Sequence, residues 1–222
     1  LINTQWTTPW LDWAMAVFSS FGIWAPLLFL GIGAGLWFGG FRLRAALVCA
    51  VLAVAFNEVV LVKPLKTAFN RPRPHQVLDG GRVVTLRKAS PKFMELFSPV
   101  KVKPAKPATG PVDGRSFPSG HTSNNFAVTV VFLAFFGWRA WPLLLVALAV
   151  SYSRIYTASH WPSDVFFSIF IGSAAGGLTL FWASGFWKRR GPRWFPALYQ
   201  RYPKLLAASP SPETVITPKG AG

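Results

Sequence analysis

Four runs of predominantly apolar residues, at roughly 23–41, 45–62, 141–158 and 164–187, are long enough to cross a bilayer, which takes about 17 to 25 such residues in a helix. A fifth run, 122–138, is borderline in length. A backbone in hydrocarbon must satisfy its own hydrogen bonds, so these runs point to an all-α integral membrane bundle. Composition agrees. The chain is 52% hydrophobic and only 14% charged, with a mean hydropathy of +0.37, which is unlike a soluble domain of this size. The stretch before the first run lacks a basic leader segment and is broken by Pro9 and Asp12, so it reads as an amphipathic helix lying in the interface. The chain begins at Leu1 rather than Met. That leaves room for a further span upstream and sets the expectation at five to six transmembrane helices.

Tryptophans flank the apolar runs at Trp24 and Trp37, Trp138 and Trp141, and Trp182 and Trp187, as an aromatic belt requires. Cys49 is the single cysteine, so no disulfide forms within the chain. If the five runs alternate, Arg42, Arg44, Arg139 and the basic turn Lys188 to Arg193 fall on one side, and the connection from Lys63 to Arg115 falls on the other. The two sides carry ten and thirteen Lys and Arg, so the positive-inside bias decides only after the motif cations below are set aside. The expected arrangement has the tail in the cytoplasm. The site then faces outward from the cell (inner) membrane, on the periplasmic side.

Residues 75–117 are rich in Pro, Lys and Gly and read as one long basic loop within a single domain spanning 1–190. Residues 191–222 read as a Pro-rich basic tail, peripheral or disordered.

Three polar clusters stand at span ends: "KTAFNRPRP" (66–74), "PSGH" (118–121) and "SRIYTASHWPSD" (153–164). Alternation puts all three on one side of the membrane. Together they hold the cations Lys66, Arg71, Arg73 and Arg154, the donors Ser119 and Gly120, and the titratable His121, His160 and Asp164. This set suits a phosphate. Arg offers phosphate a planar fork and Lys a point charge, and a helix starting after Ser119 would aim free N–H groups and its positive end at the same anion. Gly120 lets the backbone approach closely.

His160 and Asp164 are four residues apart and can share a helix face, with Pro162 tolerated in the first turn. A carboxylate bonded to one imidazole nitrogen leaves the other bare and nucleophilic. His160 is therefore the expected nucleophile, Asp164 its orienter, and His121 the acid that protonates the departing oxygen.

The spacing Lys66-x6-Arg73-Pro74, then Pro118-Ser119-Gly120-His121, then Ser153-Arg154-x5-His160-x3-Asp164 resembles the three-part signature of the type 2 phosphatidic acid phosphatase (PAP2) superfamily. The motifs cover about residues 63–165. The resemblance implies a six-helix membrane bundle in which Lys66, Arg73, Ser119, Gly120 and Arg154 bind phosphate. It also implies attack by His160, supported by Asp164, with His121 acting as acid and then as base on water. Arg71 lies outside the strict pattern and is a possible extra phosphate ligand. The expected activity is that of a membrane lipid phosphatase working through a phosphohistidine. Undecaprenyl diphosphate is the favoured substrate, and phosphatidylglycerophosphate, phosphatidate and lipid A phosphates are alternatives. A lipid phosphotransferase would use the same residues. A vanadate-dependent haloperoxidase shares this type of anion site, but its soluble character conflicts with the hydropathy. A non-enzymatic scaffold or transporter would not need the full set of nucleophile, acid and cradle.

Other polar residues have plainer readings. Lys63 is a snorkelling anchor, and His75 is exposed-loop material with no assigned chemistry. Asn57 and Glu58, inside a span, are either functional or a local partner for Lys63 or Lys66. The basic loop from Arg82 to Lys106 is either solvated charge or an attractor of anionic headgroups. Only one of the seven acidic residues, Asp164, belongs to the clusters. Phosphatases built on divalent cations need carboxylates near the metal, so a metal-independent reaction without a cofactor is expected. The expected partners are the bilayer and a lipid phosphate, with no nucleic acid.

Overall fold

The computed structural model describes residues 2–110, 112 and 114–206. Helix α1 (Pro9–Ser19) is capped by Thr8, whose side chain accepts from the Leu11 N–H. Helix α2 (Phe21–Phe38) follows, and its apolar surface is almost wholly exposed, as a lipid-facing helix requires. Helix α3 (Phe41–Phe56) runs through a π-helical stretch, Asn57–Val62, directly into α4 (Lys63–Phe69). Pro64 explains that stretch: its ring would clash with the carbonyl four residues back in a regular helix, and the wider turn relieves the conflict. Asn70 ends α4 in the left-handed conformation, and a short α5 (Pro74–Val77) comes next.

The remaining helices are α6 (Gly120–Phe136), α7 (Trp141–Tyr156), α8 (Pro162–Trp194) and α9 (Pro196–Arg201). All five expected apolar runs are helical. Four helical stretches among the described residues are long and apolar enough to cross a membrane, by length and composition. The third of these, Gly120–Tyr156, is the pair α6 and α7 folded back at Gly137, whose φ of 60° suits glycine. Across that fold the Thr129 hydroxyl donates to the Leu143 carbonyl at 3.3 Å.

The centre is built from small residues. Ala46, Cys49, Ala50 and Ala53 of α3 meet Ala127, Val131 and Phe135 of α6 and Ala175 and Leu180 of α8. Gly172 and Gly176, four apart on α8, lie against the backbone of α6: a methyl group on Gly172 would run into the Ser123 carbonyl, and one on Gly176 would sit 2.7 Å from that of Ala127. Small residues at this spacing let membrane helices approach backbone to backbone.

The connection after α5 is not the structureless loop expected. Strands β1 (Arg82–Leu86) and β2 (Val100–Pro104) pair antiparallel, with Val84 opposite Val102 and Leu86 opposite Val100. A 3₁₀ turn (Lys92–Phe97) lies between them. Val84 and Leu86 are buried together with Ala14, Met15, Val17, Ile23 and Tyr156, so the hairpin packs on α1 and on the end of α7. An ion pair fixes the junction. Buried Asp12 takes Arg82 at 2.5 Å and the Tyr156 hydroxyl at 2.6 Å.

The first part of the expected tail is also ordered. Residues 195–206 fold back, with Tyr199 against Trp187, the Trp187 indole donating to the Tyr202 carbonyl at 2.9 Å, and Tyr202 stacked on Phe41. Residues 207–222 of that tail lie outside the described residues.

Candidate active site

The end of α3–α4, the start of α6, the end of α7 and the start of α8 meet at one end of the bundle. Ser119 caps α6, its side-chain oxygen accepting from the Thr122 N–H and hydroxyl at 3.5 and 3.1 Å. Its own N–H donates to Ser168 of α8 at 2.8 Å. The first-turn N–H groups beyond the cap have no acceptor within the helix and face outward from its positive end. Gly120 allows the approach: a methyl group there would lie 3.3 Å from the Glu58 carboxylate and 3.7 Å from the Lys66 ammonium. Lys66, Arg73 and Arg154 all lie within electrostatic reach of both His121 and His160. The expected phosphate cations thus converge on both imidazoles.

Arg154 is 8% exposed. One end of its guanidinium donates to the Ser19 carbonyl at 3.1 Å and to the Ser19 hydroxyl, which places the last residue of α1 behind the site. Its Nε is buried without a partner among the described residues. A buried charged donor left open is costly unless an anion meets it.

His160 is 2% exposed and Asp164 fully buried. The turn carrying His160 is wound onto the end of α7, because the N–H groups of Ser159 and His160 both donate to the Arg154 carbonyl at 3.1 Å. His75, expected to be loop material, supports that turn: its Nδ1 and backbone N–H meet the carbonyl of Ala158, a residue held at φ 54°.

The orienting contact differs from the expected one. His160 Nδ1 lies 2.5 Å from the Ser116 carbonyl and 4.0 Å from Asp164, beyond hydrogen-bonding range. A carbonyl only accepts, so Nδ1 carries the proton and Nε2 is the bare nitrogen. Asp164 instead accepts from the Ser116 hydroxyl at 2.5 Å, the Trp161 N–H at 3.0 Å and Arg71 at 2.6 Å. It sits in the first turn of α8, where a carboxylate bonds back to the free N–H at the helix start. Ser116 therefore links the two, one residue gripping Asp164 by its side chain and His160 by its backbone. Arg71, expected as a possible phosphate ligand, is engaged with Asp164, Ser163 and the Trp161 ring, 5.4 Å away.

Burial, followed by the positive charges of Arg154 and Arg73, holds the His160 imidazole well below its usual range. The bond to the Ser116 carbonyl only partly opposes this. His160 is therefore neutral near pH 7, the form in which an imidazole can act as a nucleophile.

Asn57 and Glu58 sit where the π-helical stretch begins. Asn57 donates to Ser123 and Asn124 at 2.9 and 2.6 Å, and Asn124 donates to Glu58 at 3.3 Å. The network ties α3 to the first turns of α6, beside Lys66. Lys63 is exposed, consistent with an anchor.

Residues 43–189 match the family model of the PAP2 superfamily. The chain belongs to that superfamily. A lipid A 4′-phosphatase of Bacteroides thetaiotaomicron is 27% identical over 185 residues, covering 78% of this chain and 70% of its own. The undecaprenyl-diphosphatase BcrC of Bacillus subtilis is 35% identical over 63 residues, 28% of this chain and 33% of its own. The crystal structure of Aquifex aeolicus LpxE is similar with a TM-score of 0.57 and 28% identity, over 81% of this chain and 90% of that one. By family, relatives and apolar helices, this PAP2 protein is a membrane phosphatase, a hydrolase of the lipid phosphatase type.

Proposed function

We propose that this PAP2 enzyme removes a phosphate from a lipid at the membrane surface through a phosphohistidine on His160. The observation that carries the reading is the buried His160 ring, with Nδ1 locked on the Ser116 carbonyl and three cations within reach of it. In the first step the Nε2 lone pair attacks phosphorus and the bond from phosphorus to the leaving oxygen breaks. The negative charge of the bound phosphate favours the charged form of His121, which gives its proton to that oxygen, releasing lipid alcohol from a monoester or lipid monophosphate from a diphosphate. In the second step His121 takes a proton from water, the water oxygen attacks phosphorus, the P–N bond breaks and inorganic phosphate leaves. Lys66, Arg73, Arg154 and the N–H groups at the start of α6 carry the charge of the transferring group. Asp164 acts on His160 through Ser116, and Arg71 fixes Asp164.

On substrate, the relatives reorder the expectation drawn from sequence. The similarity to a lipid A phosphatase runs along most of the chain, whereas that to an undecaprenyl diphosphatase covers about a quarter of it. A phosphorylated glycolipid of the lipid A class is therefore the first reading and undecaprenyl diphosphate the second. The site faces the periplasm in this reading, with the basic end of α8 in the cytoplasm.

The test is phosphate release from a panel of lipid phosphates by wild type, His160→Ala and His121→Ala, with and without EDTA. The wild type alone should turn over, unaffected by chelation, and acid-labile label should be trapped on His160. Full turnover by His160→Ala would sink the assignment of roles.

A further inference from the structure

The hairpin β1–β2 plays no part in the chemistry above, yet its surface is specific. Val84 and Leu86 are buried against α1, and the register places Val102 and Val100 opposite them. Side chains alternate across a strand, so Lys101 and Lys103 point to the other, outer face. Five cations, Arg87, Lys88, Lys92, Lys101 and Lys103, are exposed along this segment. Its one acidic residue, Glu95, accepts from the Ser20 hydroxyl at 3.3 Å. Arg82 is not part of the free charge, being paired with Asp12.

The tip has a second character. Phe93, Met94 and Phe97 of the 3₁₀ turn are exposed, Phe97 by 77%. The tip is held in place by the Trp13 indole, which donates to the Leu96 carbonyl at 3.1 Å. It packs on the start of α2, where a methyl group on Gly22 would lie 2.9 Å from the Lys92 side chain. Since α2 exposes apolar side chains at Phe21 and from Trp24 onward, the tip lies beside the start of a helix long and apolar enough to cross a membrane.

We propose that the hairpin and its 3₁₀ tip form a docking surface for the anionic headgroup layer of the bilayer beside the active site. Phe93, Met94 and Phe97 would insert at the boundary, and the outer lysines would meet headgroup phosphates. Aromatic, Met and Lys side chains on one segment are the mixture an interface rewards. A soluble polyanion would use the lysines but gain nothing from an exposed Phe97. The proposal stands whichever lipid phosphate the enzyme hydrolyses.

The full chain is placed in nanodiscs of phosphatidylcholine, with or without phosphatidylglycerol, and carries an environment-sensitive fluorophore on Met94→Cys in a Cys49→Ala background. The expected result is quenching by brominated acyl chains that deepens when phosphatidylglycerol is present, while the same label on Asp79→Cys, away from the tip, stays in water. Replacing Lys88, Lys92, Lys101 and Lys103 together by Gln should lower the ratio of docked to undocked label in anionic discs on the order of 10²-fold or more. The same variant should keep wild-type turnover of a water-soluble phosphate ester, which reads its folding separately. Quenching independent of lipid charge and of the four substitutions would overturn the proposal. So would a label at Met94 that stays open to aqueous iodide in both discs, or one that responds only to soluble heparin.

Discussion

Both ends of the bundle are basic, but they hold their cations in different surroundings. At the far end Lys188, Arg189, Arg190 and Arg193 are exposed, and Arg190 lies over the ring of its neighbour Trp194 at 5.7 Å. At the site end Arg154 is buried with an Nε that has no partner among the described residues, and Lys66 and Arg73 act with it on two imidazoles. The residue types are the same, but the dielectric and the company differ. An exposed cation keeps its hydration and is screened by salt, which suits orientation and lipid contact. A buried one without a counter-charge is costly until an anion meets it, which suits binding and charge stabilisation.

The largest expected effect breaks the comparison at its sharpest point. His160→Ala should reduce turnover on the order of 10⁶-fold, as loss of a nucleophile does elsewhere. Arg190→Ala, at the opposite end, should leave it unchanged within error. Phosphate release by the two purified variants decides this.

Arg154→Ala should cost on the order of 10²- to 10³-fold in kcat, the scale of one lost transition-state donor. Ser19 behind it offers a finer probe. Ser19→Ala removes only the hydroxyl contact and leaves the carbonyl one, so its cost should be far smaller and should fall mainly on KM. Equal losses from the two variants would mean that the guanidinium is chiefly a strut between α1 and α7.

Ser116 tests the site from within. Ser116→Ala keeps the carbonyl that holds His160 but removes one of the three donors to Asp164, and should cost on the order of 10- to 100-fold, as loss of a supporting contact does. Arg71→Ala should cost a similar amount and leave KM for phosphate esters nearly unchanged, since Arg71 binds the carboxylate of Asp164. A large rise in KM would return Arg71 to the phosphate cradle.

Much of this was legible in the chain. The apolar runs and the three polar clusters at their ends follow from residue type and spacing alone, because hydrocarbon forces helices and alternation brings those ends together. The hairpin was hidden by its Pro and Lys content, although Val100-Lys101-Val102-Lys103 carries the period-two alternation of a strand. Ser116 left no signal, because its contact with His160 is made by a carbonyl that every residue possesses. The Asp12–Arg82 pair joins residues seventy positions apart, and no local pattern encodes it. The proline-rich surroundings of His75 suggest loop material. Its role comes from the turn at Ala158, which only the fold places beside it.

The smallest effect is a shift in pH. His160 lies well below the ordinary imidazole value of 6.5, and only its neutral form attacks, so the acid limb of kcat/KM that it contributes should fall below pH 6.5. The folded protein binds fewer protons on this ring than the unfolded chain does. This group's effect on stability is therefore nil well above pH 6.5 and becomes a progressive loss as pH drops toward the folded value. Removing a neighbouring positive charge raises the ring's proton affinity, so in Arg154→Ala the acid limb should move to higher pH. In Arg190→Ala it should stay where it is. A bound phosphate should act in the same direction as the first variant, since its negative charge favours the imidazolium, and the limb seen in kcat should lie above that in kcat/KM. If the limb is identical in wild type and Arg154→Ala, the two cationic ends differ in exposure alone, and the field at His160 is not set by Arg154.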